Sequence, residues 1–359
     1  MSRKVTIQDI ADALGISRNT VSKAINNSEG IADSTRDKIL EKAVEMGYKQ
    51  FSYVNTLANI APSSKDQDIQ PAGYKGEIAL FSSMFLNQSH FASTMLDKFQ
   101  REISQLGYTL NTHRVTADNL KNLTLPVTFV PENCRAIMCI EIFDWNYSEM
   151  VCSLDLPVLF IDGPVKSDGR SVPADQLYMD NCDEVTRFVR EMLGRGYSRI
   201  GFIGDYEHCQ SFYERYCAYR CAMFSSGAEV LERDIIKAQD VPLLTEYLSK
   251  LKSYPDVFIC ANDFIAYDAV MILKGMGVRI PEDVMFCGFD DSPESRMMVP
   301  QLTTVHIHTQ IMAYTAAELL LSRMKEPSLD YRIVHTKTDL IWRESSGEIQ
   351  VNHEPEGSL

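Results

Sequence analysis

Two kinds of hydrophobic spacing divide the chain. Near the N-terminus, Ile7, Ile10, Ala11 and Leu14 recur at the three- and four-residue intervals of an amphipathic helix. Thr6 stands before this stripe as an N-cap with Asp9 three residues on, and Gly15 follows as the natural left-handed stop. After Gly15-Ile16, Ser17 can cap a second helix whose buried stripe is Val21, Ala24 and Ile25. That arrangement exposes Arg18, Asn19, Ser22, Lys23 and Asn26. A third helical pattern runs from Asp33 to Met46, with Ile39, Leu40, Ala43 and Met46 inward, and stops at Gly47-Tyr48. From Glu77 the spacing changes to short apolar runs alternating with helical stretches: IALFSS, a helix from Phe91 to Leu106, YTLNTHRV, RAIMCI and PVLFID. The rhythm restarts with the helix CDEVTRFVREMLGRGY, then RIGFIG, a helix from Tyr213 to Ser225, DVFICAND, the helix DFIAYDAVMILKGMG and VMFCGFDD. Alternating β and α units predict a doubly wound parallel sheet, here twice.

The two short N-terminal helices, joined by a tight glycine-containing turn, read as a helix-turn-helix whose second helix enters a DNA major groove. An Arg or Lys can give guanine two hydrogen bonds, Asn can do the same for adenine, and Ser or Thr hydroxyls reach phosphates. Arg18 and Asn19 stand at the start of that helix, where base edges are read. The competing account is a solvated polar face on an ordinary three-helix bundle.

At 359 residues, with 45% hydrophobic and 23% charged side chains, the chain is long enough for two or three soluble domains. Its longest apolar runs, such as PVLFI, have the length of a buried strand and not of a membrane helix. The polar N-terminus has no apolar signal region, so a cytoplasmic protein with no membrane partner is expected. The nine cysteines include no CxxC pair, and Cys217 and Cys221 lack histidine partners for zinc; reduced core thiols are expected. The net charge is −14, yet residues 1–60 hold eight Lys and Arg against seven Asp and Glu. DNA affinity must therefore be local to a near-neutral head, and dimerisation would double its contacts. Residues 61–75, rich in Pro, Ser, Asp and Gln, read as a linker.

In open parallel sheets, ligands bind at the carboxyl ends of the strands. Asp162 ends PVLFID, Asn262 follows DVFICA and Asp290 follows VMFCGF, while Arg215 lies near the start of a helix. Carboxylate, carboxamide and guanidinium groups offer the paired donors and acceptors that sugar hydroxyls require; ordinary capping at strand-to-helix turns is the competing account. There is no GxGxxG after the first strand, no GxxxxGK[ST], no GxSxG and no HExxH, so no catalytic residue, cofactor or metal is expected. His306 and His308 point to one side of an extended HIH, more simply as surface histidines than as a metal pair.

The segments VTIQDIADALGISRNTVSKAINN and STRDKILEKAVEMGY resemble the DNA-binding head of the LacI family of bacterial transcription regulators. RIPEDVMFCGFDDSPESRMMVPQLTTV, GRGYSRIGFIG and the Ser211-x-x-x-Arg215 spacing resemble the same family's body, which is similar to periplasmic sugar-binding proteins. The resemblance implies an α-helical helix-turn-helix domain with a hinge helix (1–60), the linker (61–75), a two-lobed periplasmic-binding-protein-like α/β body (76–345) and a C-terminal tail (346–359). It implies DNA contacts from Thr6, Ser17, Arg18, Asn19, Thr20, Ser22, Lys23, Asn26 and Tyr48, with Leu57 wedged into the minor groove. It also implies effector contacts from Asp162, Arg215, Asn262 and Asp290, with Phe91 stacking on a sugar ring. The chain departs from the family in several places, among them that no Arg or Lys closely follows Leu57. Gln50-Phe51 replaces a Pro-Asn before the hinge, Ala32 replaces a serine cap, and Ile307 stands where a polar residue is common. The expected function is a transcription regulator, in the first instance a repressor, that binds palindromic double-stranded operator DNA as a homodimer. A small-molecule effector controls it, a carbohydrate ahead of a nucleobase or other metabolite. A solute-sensing protein without DNA binding is the alternative from another class. The tail lacks a leucine heptad, which favours a dimer over a tetramer. The body should cross between its lobes near Leu177, Val305 and Ile333, so that ligand closes them about a hinge.

Overall fold

The computed structural model describes residues 6–25, 73–83, 90–166, 169–238 and 240–347, with isolated positions 35, 38, 39, 42 and 46. Asn26, Tyr48, the hinge helix with Leu57, most of the expected third helix from Asp33 to Met46, the Gln50-Phe51 and Ala32 departures, residues 61–72 of the linker and the tail beyond Gly347 lie outside the described residues.

Helix α1 (Ile7–Leu14) begins where its sequence dictates. Thr6 and Asp9 form a reciprocal capping box, and Gly15 closes the helix at φ 65. Helix α2 (Arg18–Ile25) follows, with the Thr20 amide donating to Ser17 Oγ at 3.0 Å as its cap. Ile10, Ala11, Val21, Ala24 and Ile39 are buried together, and Ile7, Leu14 and Met46 pack around them. Arg18, Asn19 and Lys23 face outward.

The first lobe is built on six parallel strands, in the spatial order Ile333–Thr336, Asp175–Met179, Val158–Ile161, Cys134–Ile140, Gly76–Ser82 and Tyr108–Arg114. In chain order its elements are β1 (Gly76–Ser82), α3 (His90–Gln105), β2 (Tyr108–Arg114), α4 (Ala117–Asn122), β3 (Cys134–Ile140), α5 (Trp145–Cys152), β4 (Val158–Ile161) and β5 (Asp175–Met179). The second lobe comprises α6 (Asp183–Gly194), β6 (Ile200–Ile203), α7 (Gln210–Ser225), β7 (Ile235–Ile236), α8 (Val241–Lys250), β8 (Val257–Cys260), α9 (Asp263–Gly275), β9 (Met285–Cys287) and α10 (Pro293–Met297). Its four parallel strands run β7-β6-β8-β9. Strands β4, β6 and β8 are buried at every position, as sheets covered on both faces require, whereas the edge strand β2 alternates. The chain then passes through β10 (Thr304–Ile307), α11 (Thr309–Lys325), β11 (Ile333–Thr336) and β12 (Thr338–Ile341).

The lobes are joined by three crossings: the segment after β5, strand β10, and the turn at Lys337 between β11 and β12. The last falls four residues beyond the expected Ile333, because β11 still pairs with β5 in the first sheet. Strands β10 and β12 pair antiparallel as a small ribbon between the lobes. Ile307 is buried in the core, which explains an apolar residue at that place. The chain continues as part of the second lobe through Ser345, whose hydroxyl donates to Phe286 O at 2.7 Å, and Ser346, which is also buried.

Five cysteines are buried as expected of core thiols, but Cys182 and Cys221 are exposed. The simple core reading fails for these two: Cys182 precedes α6, and Cys221 lies on the outer face of α7. Among the described residues no helix is long and apolar enough to cross a membrane.

Candidate functional site

Between the lobes lies a cavity of about 180 Å³, and all five residues expected to touch an effector line it: Phe91, Asp162, Arg215, Asn262 and Asp290. Each comes from the carboxyl end of a strand or the first turns of a helix, as the doubly wound topology requires.

Asp162 follows β4 with φ 61, a left-handed backbone that turns its carboxylate toward the other lobe. One carboxylate oxygen accepts the Gly163 amide at 2.8 Å and the Ser211 amide at 3.2 Å. Ser211 lies in the first turn of α7, whose own N-cap, Cys209, supplies no side-chain bond. Thus a carboxylate from one lobe caps a helix of the other. This also explains why α7 starts at Gln210, three residues before its sequence-predicted start: the local chain carries no capping signal. Burial pushes the Asp162 carboxyl above the usual range, against the pull of these donors and of Arg215.

Arg215, only 3% exposed, lies in the second turn of α7. Its Nε donates to Asn181 Oδ1 at 2.9 Å, its Nη1 donates to Ala261 O at 2.5 Å, and its guanidinium lies 3.4 Å from the centroid of the Phe289 ring. Asn181 is steadied in turn by donating to Glu214 Oε2 at 2.8 Å. The nearest carboxylate oxygen, Asp290 Oδ1, is 3.9 Å from Nη1. Burial pulls the guanidinium down from the usual arginine range, and Asp290 opposes this. Asp290 has φ 117 and donates its amide to Val305 O in the second crossing. Burial pushes its carboxyl up to about 8, with Arg215 pulling the other way.

Asn262 serves two purposes. Its Oδ1 caps α9 by accepting the Ile265 amide at 2.9 Å, and its side chain also borders the cavity. Capping and cavity lining thus coexist in this one residue. Phe91 similarly packs on the core and lines the cleft. Sequence reasoning missed Glu141, Phe143, His208, Phe212 and Phe264. Glu141 directly follows β3 and has φ 58, so the strand-end rule could have found it. Phe143 from the first lobe meets His208 from the second edge-on, with ring centroids 4.9 Å apart, and closes one side.

Behind the cleft, Asp291 ties the crossings together. Its carboxylate meets His306 Nδ1 at 2.9 Å, Arg296 Nη2 at 2.7 Å and Arg343 Nη2. His308 meets Asp339 Oδ2 at 3.0 Å, so each residue of the HIH pair faces its own carboxylate.

In the head, Thr6 is engaged in its capping box and Ser17 in capping α2, while Arg18, Asn19 and Lys23 form an exposed row and Thr20 and Ser22 are half-buried. A helix-turn-helix attached to a two-lobed body with a polar interlobe cavity defines a class: a DNA-binding regulator with a small-molecule pocket. Residues 6–50 match the family described as bacterial regulatory proteins, lacI family, and residues 189–346 match a periplasmic binding protein-like domain. The chain is 26% identical over 353 residues to the transcriptional regulator GalR of Lacticaseibacillus casei, covering 95% of this chain and 99% of that one. It is 23% identical over 350 residues to the transcriptional repressor PurR of Aliivibrio salmonicida, covering 95% and 98%. In fold it is similar to the CelR-cellobiose complex (TM-score 0.66, 21% identity, 95% and 100% covered). The lac repressor dimer bound to operator and the anti-inducer ONPF is also similar (TM-score 0.64, 18% identity, 96% and 100% covered). The chain thus carries a LacI-family DNA-binding head and a periplasmic binding protein-like body, the make-up of a DNA-binding transcription regulator.

Proposed function

We propose that the protein represses transcription as a homodimer on a palindromic operator, and that a sugar or sugar derivative held between the lobes controls its DNA affinity. The observation that carries the effector reading is the convergence of Phe91, Asp162, Arg215, Asn262 and Asp290, drawn from both lobes, on one cavity. A ligand bridging Asp162 on one side and Arg215 and Asp290 on the other favours the closed arrangement of the lobes. Any such preference must appear equally in operator affinity, typically as about 1–3 kcal/mol of coupling.

Dimerisation is supported by an apolar face on the second lobe. Met271 is 51% exposed, Met297 71% and Val299 75%, with Tyr267 beside them. A second copy of the chain is the occupant this face fits, as the similar lac repressor structure is a dimer. Met271→Glu should yield a monomer by sedimentation that binds a half-site only weakly.

The experiment that tests the whole reading is operator selection from random DNA followed by titration with sugars. Sequence-specific binding weakened or strengthened by a sugar is the expected result; specific binding indifferent to every sugar but altered by a nucleobase would overturn the carbohydrate assignment. Arg18→Ala should cost about 1–3 kcal/mol on the selected operator and relax preference at one base position per half-site. An equal loss on random DNA would remove Arg18 from base reading.

A further inference from the structure

The first turn of α7 is held from both lobes at once. The body of the helix belongs to the second lobe: Ala218, Tyr219, Ala222 and Met223 are buried, and the Tyr219 hydroxyl donates to Ile200 O at the start of β6 at 2.7 Å. The loop it faces, residues 162–166, belongs to the first lobe. There the Asp162 amide donates to Leu177 O in β5 at 3.0 Å, and the Trp145 indole donates to Val165 O at 2.8 Å. Gln210 joins the two. Its amide donates to Gly163 O at 2.9 Å, and its side-chain Oε1 accepts the Lys166 amide at 2.8 Å. Its Nε2 donates to Glu214 Oε1 at 2.9 Å, one turn along α7, which fixes the carboxamide with its oxygen toward the loop. The Ser211 amide also crosses the lobe boundary, to Asp162 Oδ1 at 3.2 Å. The amides of Gln210 and Ser211 stand in the first turn of a helix, where no intrahelical acceptor exists, so their protection from water comes from the other lobe. Gln210 is 7% exposed and is not part of the cavity lining, although Cys209 and Ser211 on either side of it are.

We propose that Gln210 is a clasp between the lobes that sets their closed-to-open ratio from outside the effector pocket, and so sets operator affinity before any effector binds. The regulatory half of this rests on the reading of the cleft as the effector site. Loop and helix are anchored in different lobes, so rotation of one lobe against the other must pull the Gln210 bonds apart. A side chain that makes contacts in one arrangement and loses them in the other biases the equilibrium by that difference, as a ligand does. One or two net hydrogen bonds correspond to a shift of roughly tenfold. An effector that also favours closure has only the remaining open fraction to act on, and losing the clasp enlarges that fraction.

The test uses the full-length protein with Gln210→Ala and Gln210→Met, the second keeping the side chain's bulk without its bonds. In hydrogen exchange without ligand, peptides covering the start of α7 should exchange roughly tenfold faster in both variants, while those of β8 keep the wild-type rate. Operator selected from random DNA is then titrated without and with galactose, cellobiose, galacturonate, guanine or hypoxanthine. Without ligand, both variants should differ from wild type in operator affinity by up to about tenfold, in the direction opposite to that in which the active compound moves wild type. At saturation with that compound all three proteins should bind operator alike, so the variants respond more strongly than wild type. Unchanged exchange at α7, or wild-type operator affinity without ligand, overturns the clasp. Loss of the response in the variants overturns it as well, because Gln210 would then act as an effector contact. If no compound moves wild type while exchange and ligand-free operator affinity still change in the variants, the clasp stands and the effector reading falls.

Discussion

Asp290 and Asp291 are neighbours in the chain, yet one belongs to the cleft and the other to the hinge, and the two regions treat a buried carboxyl in opposite ways. Asp291 takes bonds from His306, Arg296 and Arg343, which hold its carboxyl well below the usual range despite burial. Asp290 faces a cation 3.9 Å away that is already bonded elsewhere, and burial pushes it up to about 8. The framework behind the hinge repeats the first pattern: Asp175, 1% exposed, accepts from Arg323 and Arg332 and so ties β5 to α11 and to the start of β11. Carboxyls that are fully matched hold the lobes and their crossings together. A carboxyl left short of partners in a cavity is free to take a ligand, and that contrast separates framework from site.

The largest effects should come from breaking the matched set. Asp175→Ala leaves Arg323, 4% exposed, without its counter-charge and should cost about 3–5 kcal/mol, read as a lower urea midpoint. Asp291→Ala should cost less, about 1–3 kcal/mol, because Arg296 is 41% exposed and can return to water. Unchanged midpoints in both variants would erase the distinction between framework and cleft.

Much of this was legible in the chain. Continuous apolar runs alternating with helical stretches gave both parallel sheets, and the polar residues ending PVLFI, DVFICA and VMFCGF led to the cavity. The first two helices of the head were equally clear, because their caps are local: Thr6 with Asp9, Ser17 with Thr20 and Gly15 lie within four residues of what they serve. What sequence could not reveal is pairing over distance. Asp175 finds Arg332 at 157 positions' separation and Asp291 finds Arg343 at 52, so no local pattern marks either as matched. The same reason hid the start of α7, capped by Asp162 from the other lobe, and hid Phe143 and His208, which meet only because the lobes face each other.

An intermediate effect is expected where the comparison turns on function. Asp290→Ala should retain operator binding and lose the effector's influence on it, a coupling of about 1–3 kcal/mol measured as operator affinity with and without sugar. Arg215→Ala should lose the same response but is the blunter probe. Asn181 Oδ1 and Ala261 O are left behind in a buried site, so about 1–3 kcal/mol of stability should go with it. A full effector response in Asp290→Ala would move the ligand out of this cleft.

The smallest effect, and the one that sets the two aspartates most directly against each other, is the dependence of stability on pH. The Asp290 carboxyl titrates at about 8 in the folded chain and near about 3.9 when unfolded, so the folded state holds its proton more tightly. Its contribution is therefore fully present below about pH 4 and is lost as the pH rises toward 8. Asp291 has the reverse sign: its carboxyl is depressed, so its contribution is present above about pH 4 and is lost as the pH falls. Each group can contribute at most about 1.4 kcal/mol per pH unit. For Asp290 only a fraction of that is expected, because its side chain is 21% exposed and Arg215 offsets part of the burial. Asp290→Asn removes the titration, so wild type should lose stability relative to this variant between pH 5 and pH 8, the lost step being roughly a few degrees in Tm. Relative to Asp291→Asn, wild type should instead lose its advantage below about pH 4. Parallel Tm curves for wild type and Asp290→Asn across pH 5 to 8 would mean that Asp290 is as well matched as Asp291, and the electrostatic mark of the cleft would be gone.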